Sequence, residues 1–447
     1  MRRQKRKDGR LPRNAAPLEV TIDHVGGRGD GVGRASYTHN YRTDEHNVFV
    51  PATLPGERVL VQPISLTGQG IKTRIIELIT ESPDRHAPGC NAFPACGGCN
   101  FQHWSDGQIA DWKQDLITSF LSRAGVEPKT MRPMLVSPLH SRRRAVFHLK
   151  RLAQSAVGGF QERQGVQIIY PAGCTVLHPD LLGILDALTA FVGAHLPVGT
   201  TLDAHVNLLD RGACLYLTGL DSWPAATMAA LADWAGSMAT DSVRLARLAV
   251  CDHGIPMMLY APTPPTLKFG AVGVVPPPGA FLQPTKDGET ALQQAVAEIV
   301  GEARILADLF AGCGTLSLPL LPNLTRLIAA EQDAEAVGAL KAGADAAGLG
   351  GRVTAFVRDL GTAPLLADKL KKCDAVILDP PRAGAAAQCA ALVTSAVPII
   401  AMVSCNPASF ARDAATLCEA GYTLEWVQPS DQFRFTNHVE LVAKFTR

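Results

Sequence analysis

No uninterrupted apolar run in this chain reaches the roughly 18 residues that a membrane-spanning helix needs. The basic stretch from Met1 to Arg13 has no apolar segment behind it, which excludes a secretory signal and makes the cytoplasm the expected compartment. Excess charge is also missing. The 42 Lys and Arg against 41 Asp and Glu leave a net charge of +1, so bulk charge marks neither a nucleic acid nor a membrane partner. Eleven cysteines are an odd number without an export signal, which argues against a disulfide framework and leaves thiols for ligation, nucleophilic chemistry or core packing.

The 447 residues suggest about three domains at roughly 100–200 residues each, and 47% apolar content supplies their cores. Residues 1–16 read as a basic disordered tail, with Arg2, Arg3, Lys5, Arg6, Lys7, Arg10 and Arg13. Residues 17–76 carry short strand-like runs (Leu18 to Asp23, Val48 to Val50, Arg58 to Val61) and glycine or proline turns, which predict a small β barrel. Residues 77–280 form a β-rich central region. It opens on cysteines, continues with an amphipathic helix (Ile109, Trp112, Leu116, Ile117, Phe120, Leu121) and contains one further helix near 179–194. The cluster Arg142, Arg143 and Arg144 is a candidate for phosphate contacts.

From 281 to 447 the pattern becomes a β/α alternation. Ile305 to Phe310, Leu327 to Glu331, Val353 to Val357, Ala375 to Leu378 and Ile399 to Val403 are short apolar runs of buried parallel-strand type. Helices are expected at 334–347 and 407–420, and two more strands near Leu424 to Val427 and His438 to Phe445. The fold class is therefore multidomain α/β plus β, ending in a doubly wound sheet that binds ligands at the carboxyl ends of its strands.

Candidate chemistry collects at those strand ends. Asp308 to Gly314 is a strand opening into a glycine turn, but the third glycine of a dinucleotide site is missing, so nothing positions a pyrophosphate. Glu331 suits a ribose diol. Asp379-Pro380-Pro381 resembles the motif by which methyltransferases shape the target pocket. Those that methylate exocyclic amines carry an aromatic residue next, where Arg382 stands here, so the resemblance implies chemistry at ring carbon. Cys405, in Ser404-Cys405-Asn406-Pro407, is a candidate nucleophile whose turn and following helix favour the thiolate, and Glu440 is a candidate base.

These pieces together resemble the catalytic domain of the RNA uracil-C5 methyltransferases. The matches are Phe281-Leu282-Gln283, Asp308 to Gly314, Glu331, Asp379 to Gly384, Ser404 to Pro407 with Arg412-Asp413, and His438-Val439-Glu440. The resemblance implies a class I sheet using S-adenosylmethionine, contacted by Gln283, Phe310, Glu331 and Asp379, with Cys405 as nucleophile and Glu440 as proton acceptor. RNA cytosine-C5 methyltransferases instead place a cysteine after proline in the fourth-strand motif, where Arg382 stands here. Two departures stand out. Arg434 replaces the proline of the usual Asp-x-Phe-Pro and is free to reach RNA, and Gly343 occurs where an asparagine is common.

The N-terminal stretch resembles a TRAM domain, an OB-like RNA-binding barrel, in Leu54-Pro55-Gly56-Glu57 and the run Gly29 to Gly33. Cys90, Cys96 and Cys99 form C-x5-C-x2-C, and Cys174 is the nearest following cysteine. Four thiolates suit zinc or an iron–sulfur cluster. Resemblance to the TRAM-bearing branch, also through Phe101 to Trp104 and Gln108 to Lys113, implies a 4Fe-4S cluster. Cys214, Cys251, Cys373, Cys389 and Cys418 read as core or surface thiols, with Cys313 lining the cofactor turn. The implied substrate is 23S ribosomal RNA, with transfer RNA as runner-up and no obligate protein partner. A non-catalytic RNA-binding or folding protein with a vestigial domain is the reading from another class, and a zinc-stabilised RNA-binding module a third.

Overall fold

Five strands at the N-terminus, Leu18–Val25, Asp30–His39, Arg42–Pro51, Arg58–Thr67 and Gly70–Thr80, close on themselves in this computed structural model. It describes residues 9–12, 14–39, 41–238 and 244–447. The last strand pairs with both Arg42–Pro51 and Arg58–Thr67, which completes the ring and removes its edges. Val20, Ile22, Val48, Val50, Val59 and Val61 fill the interior. Gly33 lies within a strand rather than a loop, and a Cβ there would meet the Thr21 carbonyl at 2.2 Å. The glycine run therefore serves close strand packing. In the Leu54 to Glu57 turn, the buried Glu57 accepts from Leu54 N at 2.8 Å and Ser82 N at 3.3 Å and pairs with Arg85 at 2.5 Å. That carboxylate ties the barrel to the cysteine segment.

Most of the expected basic tail, residues 1–8 and Arg13, lies outside the described residues. Its end departs from the expectation of disorder: Gly9 and Arg10 pair antiparallel with Leu66 and Ser65, and Leu11 is buried.

The central region is built on a seven-stranded sheet in the order Ile168–Ile169, Ala156–Gln161, Arg144–Arg151, Thr201–Leu209, Gly212–Thr218, Leu245–Asp252, Ile255–Tyr260. The expected helix is Pro179–His195. A second helix, Ala225–Ser237, was not foreseen; it buries only Leu231 and Ala235, so its sequence has almost no apolar stripe. It is the crossover that lets Gly212–Thr218 and Leu245–Asp252 pair in parallel.

Residues 77–280 do not form one unit. The helix Asp106–Arg123 sends Ile117 and Leu121 into the core of the C-terminal sheet, and Thr130–Met131 and Leu135–Val136 extend that sheet. Register explains this: both short strands pair parallel with Thr423–Asp431, an edge that would otherwise be open.

The C-terminal sheet runs Val353–Val357, Arg326–Glu331, Ile305–Leu309, Ala375–Leu378, Ile399–Ser404, Glu440–Thr446, Thr423–Asp431. The first five strands are mutually parallel, and Glu440–Thr446 is antiparallel to both neighbours. Strand order reverses at Ile305–Leu309, which opens a ligand crevice at the carboxyl ends. Among the described residues, no helix is long and apolar enough to cross a membrane.

A hairpin, Leu267–Phe269 with Val272–Val274, packs on the helix Ala334–Ala346. Gly343 makes the contact possible, because a Cβ there would meet the Gly273 carbonyl at 2.7 Å and Val274 Cγ2 at 2.9 Å. Gly343→Asn is expected to destabilise the protein by about 1–3 kcal/mol, since overpacking outweighs the few tenths gained in helix propensity. Urea denaturation checks this; unchanged stability would mean that the hairpin yields freely.

Candidate active site

Phe310, Glu331, Asp379 and Cys405 each stand at or just beyond the carboxyl end of a parallel strand, and Glu440 opens the antiparallel one. The ladder ends at the pair Ser404 and Leu441, and Cys405 and Glu440 are the residues next to that last rung. Cys405 lies where the strand Ile399–Ser404 meets the helix Pro407–Glu419. Asn406 caps that helix by accepting from Ala408 N at 3.1 Å, and its Nδ2 donates to the Arg382 carbonyl at 2.8 Å. The loop after Asp379 is fastened beside it: Asp413 Oδ2 accepts from Ala385 N at 2.6 Å, and Arg412 donates to the Ala383 carbonyl at 3.0 Å.

The electrostatics of this edge are dominated by acids. Burial, reinforced by Asp308 and Glu331, pushes the Asp379 carboxyl up to about 7. Burial and Glu331 raise Asp308 to about 7, and its Oδ2 has no hydrogen-bond partner. Burial and Asp379 hold Glu440 well above the usual carboxylate range. Cys405 follows: burial, then Glu440 and Asp379, push its thiol up to about 11 against the opposing pull of Arg382. This corrects the expectation of a favoured thiolate, because burial, with two carboxylates added to it, outweighs one helix N-terminus.

Glu331 Oε2 accepts from Gly312 N at 3.0 Å, and Oε1 accepts from Gln332 N at 2.7 Å and Asp333 N at 3.0 Å. A Cβ at Gly312, whose φ is +52°, would meet nothing within 4 Å. The glycine turn thus faces open space beside several acids that no cation among the described residues neutralises, a setting suited to a ligand carrying sulfonium and ammonium charges. Gln283 is buried; its Oε1 accepts from Gln432 Nε2 at 3.0 Å, and its carbonyl accepts from Arg143 Nε at 3.2 Å. Cys313 is buried in the glycine turn, as expected for that thiol.

A cavity of about 280 Å³ opens on Cys405, walled by Arg28, Phe120, Arg382, Asn437 and His438. Arg28 comes from the barrel and Phe120 from the helix Asp106–Arg123, so distant segments complete the pocket. His438 Nδ1 lies 3.0 Å from Arg382 Nη2, and burial with Arg382 lowers its pKa to about 4. The imidazole is therefore neutral. Sequence reasoning had placed His438 only as a motif neighbour of Glu440.

Two arginine expectations are corrected. Arg434 is not free for RNA: its guanidinium donates to the Ser137 carbonyl at 3.0 Å and pairs with Asp106, leaving its side chain 15% exposed. Arg143 is buried in a 2.5 Å pair with Glu289 and cannot meet phosphate, while Arg144 stacks over Phe281 at 4.4 Å.

Cys90, Cys96, Cys99 and Cys174 all line a second cavity of about 910 Å³, which shares Asn437 and His438 with the first. Three sulfurs already accept N–H donors: Cys96 from Gly98 N at 3.4 Å, Cys99 from Gln102 Nε2 at 3.6 Å and Cys174 from Leu177 N at 3.5 Å. Such bonds suit thiolate ligands. Among the described residues, however, no group of three or more His, Cys, Asp or Glu side chains is drawn together as a metal ion would require.

A family model described as tRNA (uracil-5-)-methyltransferase matches residues 364–446. An RNA methyltransferase of Caulobacter vibrioides with no further assigned role is 36% identical over 96% of this chain and 100% of its own length. The 23S rRNA (uracil(1939)-C(5))-methyltransferase RlmD of Chromohalobacter salexigens is 32% identical over 96% of this chain and 89% of its own. The solved tRNA (uracil-54, C5)-methyltransferase of Pyrococcus abyssi, in complex with S-adenosyl-L-homocysteine, aligns with a TM-score of 0.71 at 19% identity, covering 96% of this chain and 99% of that one.

A neutral thiol at Cys405 makes a pH prediction. Alkylation by iodoacetamide in the free protein, read by mass spectrometry of the Cys405 peptide, is expected to rise about tenfold per unit from roughly pH 7 to 10. A plateau below pH 8 would show a pre-formed thiolate instead.

Proposed function

Because the chain belongs to the RNA uracil-C5 methyltransferase family, we propose that Cys405 and Glu440 carry out methylation of one uridine in 23S ribosomal RNA. The observation that supports the reading is the end of one antiparallel ladder, where Cys405 follows Ser404 and the buried Glu440 precedes Leu441 at the carboxyl edge of the sheet.

C5 of uracil is a weak nucleophile until a group adds at C6. The Cys405 thiol releases its proton to solvent water and its sulfur bonds to C6, which moves the C5–C6 electron pair into an enolate over C5 and O4. S-adenosylmethionine, for which Gln283, Phe310, Glu331 and Asp379 are the proposed contacts, supplies an electrophilic methyl group to C5 when bound. Glu440 then takes the C5 proton; the released pair restores the C5–C6 double bond, and the sulfur–C6 bond breaks with its electrons returning to Cys405. Arg382, hydrogen-bonded to neutral His438, brings positive charge beside the Cys405 pocket and favours the ionised sulfur.

The target base must leave its stack to reach Cys405, at a cost of a few kcal/mol that single-stranded loops reduce. The N-terminal barrel, a TRAM-like RNA-binding module in this reading, places Arg28 at the pocket wall to help offset that cost. Ribosomal RNA is favoured by the relative that acts on it at 32% identity across nearly the whole chain. Transfer RNA is the second reading, favoured by the description of the matching family model.

We further propose that Cys90, Cys96, Cys99 and Cys174 hold a 4Fe-4S cluster, with a structural or RNA-positioning part. The soft donors around one cavity and their N–H partners support it. Protein purified without oxygen is expected to contain about four irons and four acid-labile sulfides per chain; stoichiometric zinc without sulfide would overturn the assignment.

The chemistry is tested with 5-fluorouridine-substituted 23S ribosomal RNA and transfer RNA, each incubated with protein and S-adenosylmethionine. Fluorine at C5 cannot leave as a proton does, so a gel-resolved covalent adduct is expected with ribosomal RNA and none with Cys405→Ala. An adduct with transfer RNA alone would transfer the activity to that substrate. No adduct with either RNA would sink the proposed mechanism and bring the RNA-binding reading forward.

A further inference from the structure

The helix Asp106–Arg123 buries a lysine. Lys113 has no exposed side-chain surface, and its ammonium lies 2.7 Å from Asp431 Oδ1, whose side chain is 4% exposed. The two residues are far apart in sequence, and burying both charges costs solvation that a well-packed apolar pair would not. Such a pair calls for a reason beyond stability.

Its position supplies one. Asp431 is the last residue of the strand Thr423–Asp431, and Ser430 beside it is the ladder partner of Glu440. Between Asp431 and Glu440 the chain makes the turn 432–439. Lys113 grips both the strand end and this turn, since Nζ also donates to the Phe433 carbonyl at 3.3 Å, and Asp431 Oδ1 accepts from Phe433 N at 3.1 Å. Phe433 packs edge-on against His438 at 5.8 Å, and His438 meets Arg382. One buried ammonium thus stands at the head of a chain of contacts leading to the wall of the Cys405 pocket.

We propose that Lys113, through its buried pair with Asp431, is a positioning residue that holds the turn 431–439 and sets the Glu440 carboxyl for proton removal. The proposal rests on the assignment of Glu440 as proton acceptor. Lys113 touches no reacting atom and acts through Asp431 and Phe433. Other anchors lie further along the turn: Gln432 to Gln283, Arg434 to Ser137 and Asp106, the Phe435 carbonyl to Asn100 N and Phe101 N, and Asn437 to the Gly27 carbonyl. Backbone pairing with Leu135–Val136 and the bond from Ser137 N to the Asp431 carbonyl at 3.1 Å also hold the strand end, and Lys113 adds the side-chain link from the Asp431 carboxylate to the Phe433 carbonyl.

The test uses the full-length protein with 23S ribosomal RNA transcribed in vitro, in ordinary and 5-fluorouridine forms. Lys113→Met alone leaves Asp431 buried without a cation and is prone to unfold. Lys113→Met/Asp431→Asn removes both charges while keeping the acceptor for Phe433 N, so it preserves the fold for the comparison. Glu440→Gln is the reference.

If Lys113 positions the proton acceptor, the folded double variant turns over ordinary RNA about 10- to 100-fold more slowly. It also accumulates a covalent adduct with ordinary RNA, as Glu440→Gln does, while its trapping by 5-fluorouridine RNA stays near the wild-type rate. A merely structural pair would not produce that stalled adduct. Wild-type turnover in the double variant, or slow turnover without adduct while Glu440→Gln does accumulate it, would overturn the positioning role and leave the Glu440 assignment standing. Unimpaired turnover by Glu440→Gln would instead remove the assignment itself, and the positioning proposal with it.

Discussion

Asp308, Glu331, Asp379 and Glu440 are brought to one edge of a buried sheet with too little positive charge to balance them, and much of the site follows from that crowding. Burial raises the proton affinity of three of them and neighbouring acids add to it: Asp308 and Asp379 are pushed to about 7 and Glu440 well above its ordinary range. Burial, with Glu440 and Asp379 behind it, likewise favours the protonated Cys405 thiol. An edge so arranged favours an incoming cation. A sulfonium is such a cation. Under the proposed contacts its arrival would favour the ionised form of the acids around it, Glu440 included. Affinity for the methyl donor and ionisation of the proposed base would then both follow from one charge imbalance.

The second constraint is mechanical. The turn 431–439 is the place where the regions of the chain meet. The barrel reaches it through Gly27, the cysteine segment through Asn100 and Phe101, the helix Asp106–Arg123 through Lys113 and Asp106, and the helix Lys286–Val300 through Gly288, whose missing Cβ makes room for Gln432. The N-terminal third is therefore more than an appended module. It braces the segment that ends in Glu440, and Asn437 and His438 form a wall common to the cysteine cavity and the Cys405 pocket.

The sheet was legible because buried parallel strands are short apolar runs that cannot hide. Ile305–Leu309, Arg326–Glu331, Val353–Val357, Ala375–Leu378 and Ile399–Ser404 fall within a residue or so of their expected bounds. The Ala-rich helix Ala225–Ser237 was not legible, since so little of it is buried. Lys113 escaped notice for a related reason: a lysine on an otherwise amphipathic helix reads as solvated, and only the distant Asp431 makes it a core residue. Arg434 misled in the opposite sense, because its partners Ser137 and Asp106 lie about 300 residues upstream. Local pattern reveals which residues are chemically able, whereas long-range pairing decides which of them are free. The thiolate expectation for Cys405 failed on the same ground, since the helix start is local whereas the burial of the thiol and the opposing carboxylates are set by the tertiary fold.

The charge imbalance is measured most directly by titration calorimetry of S-adenosylmethionine into the protein at pH 7, repeated in buffers of different ionisation enthalpy. Acids held near pH 7 are partly protonated, so a bound cation is predicted to expel protons, and affinity is predicted to rise from pH 5.5 to 8. S-adenosylhomocysteine, with its neutral sulfur, should release fewer. Binding of S-adenosylmethionine without proton release, at an affinity flat across that range, would contradict the account.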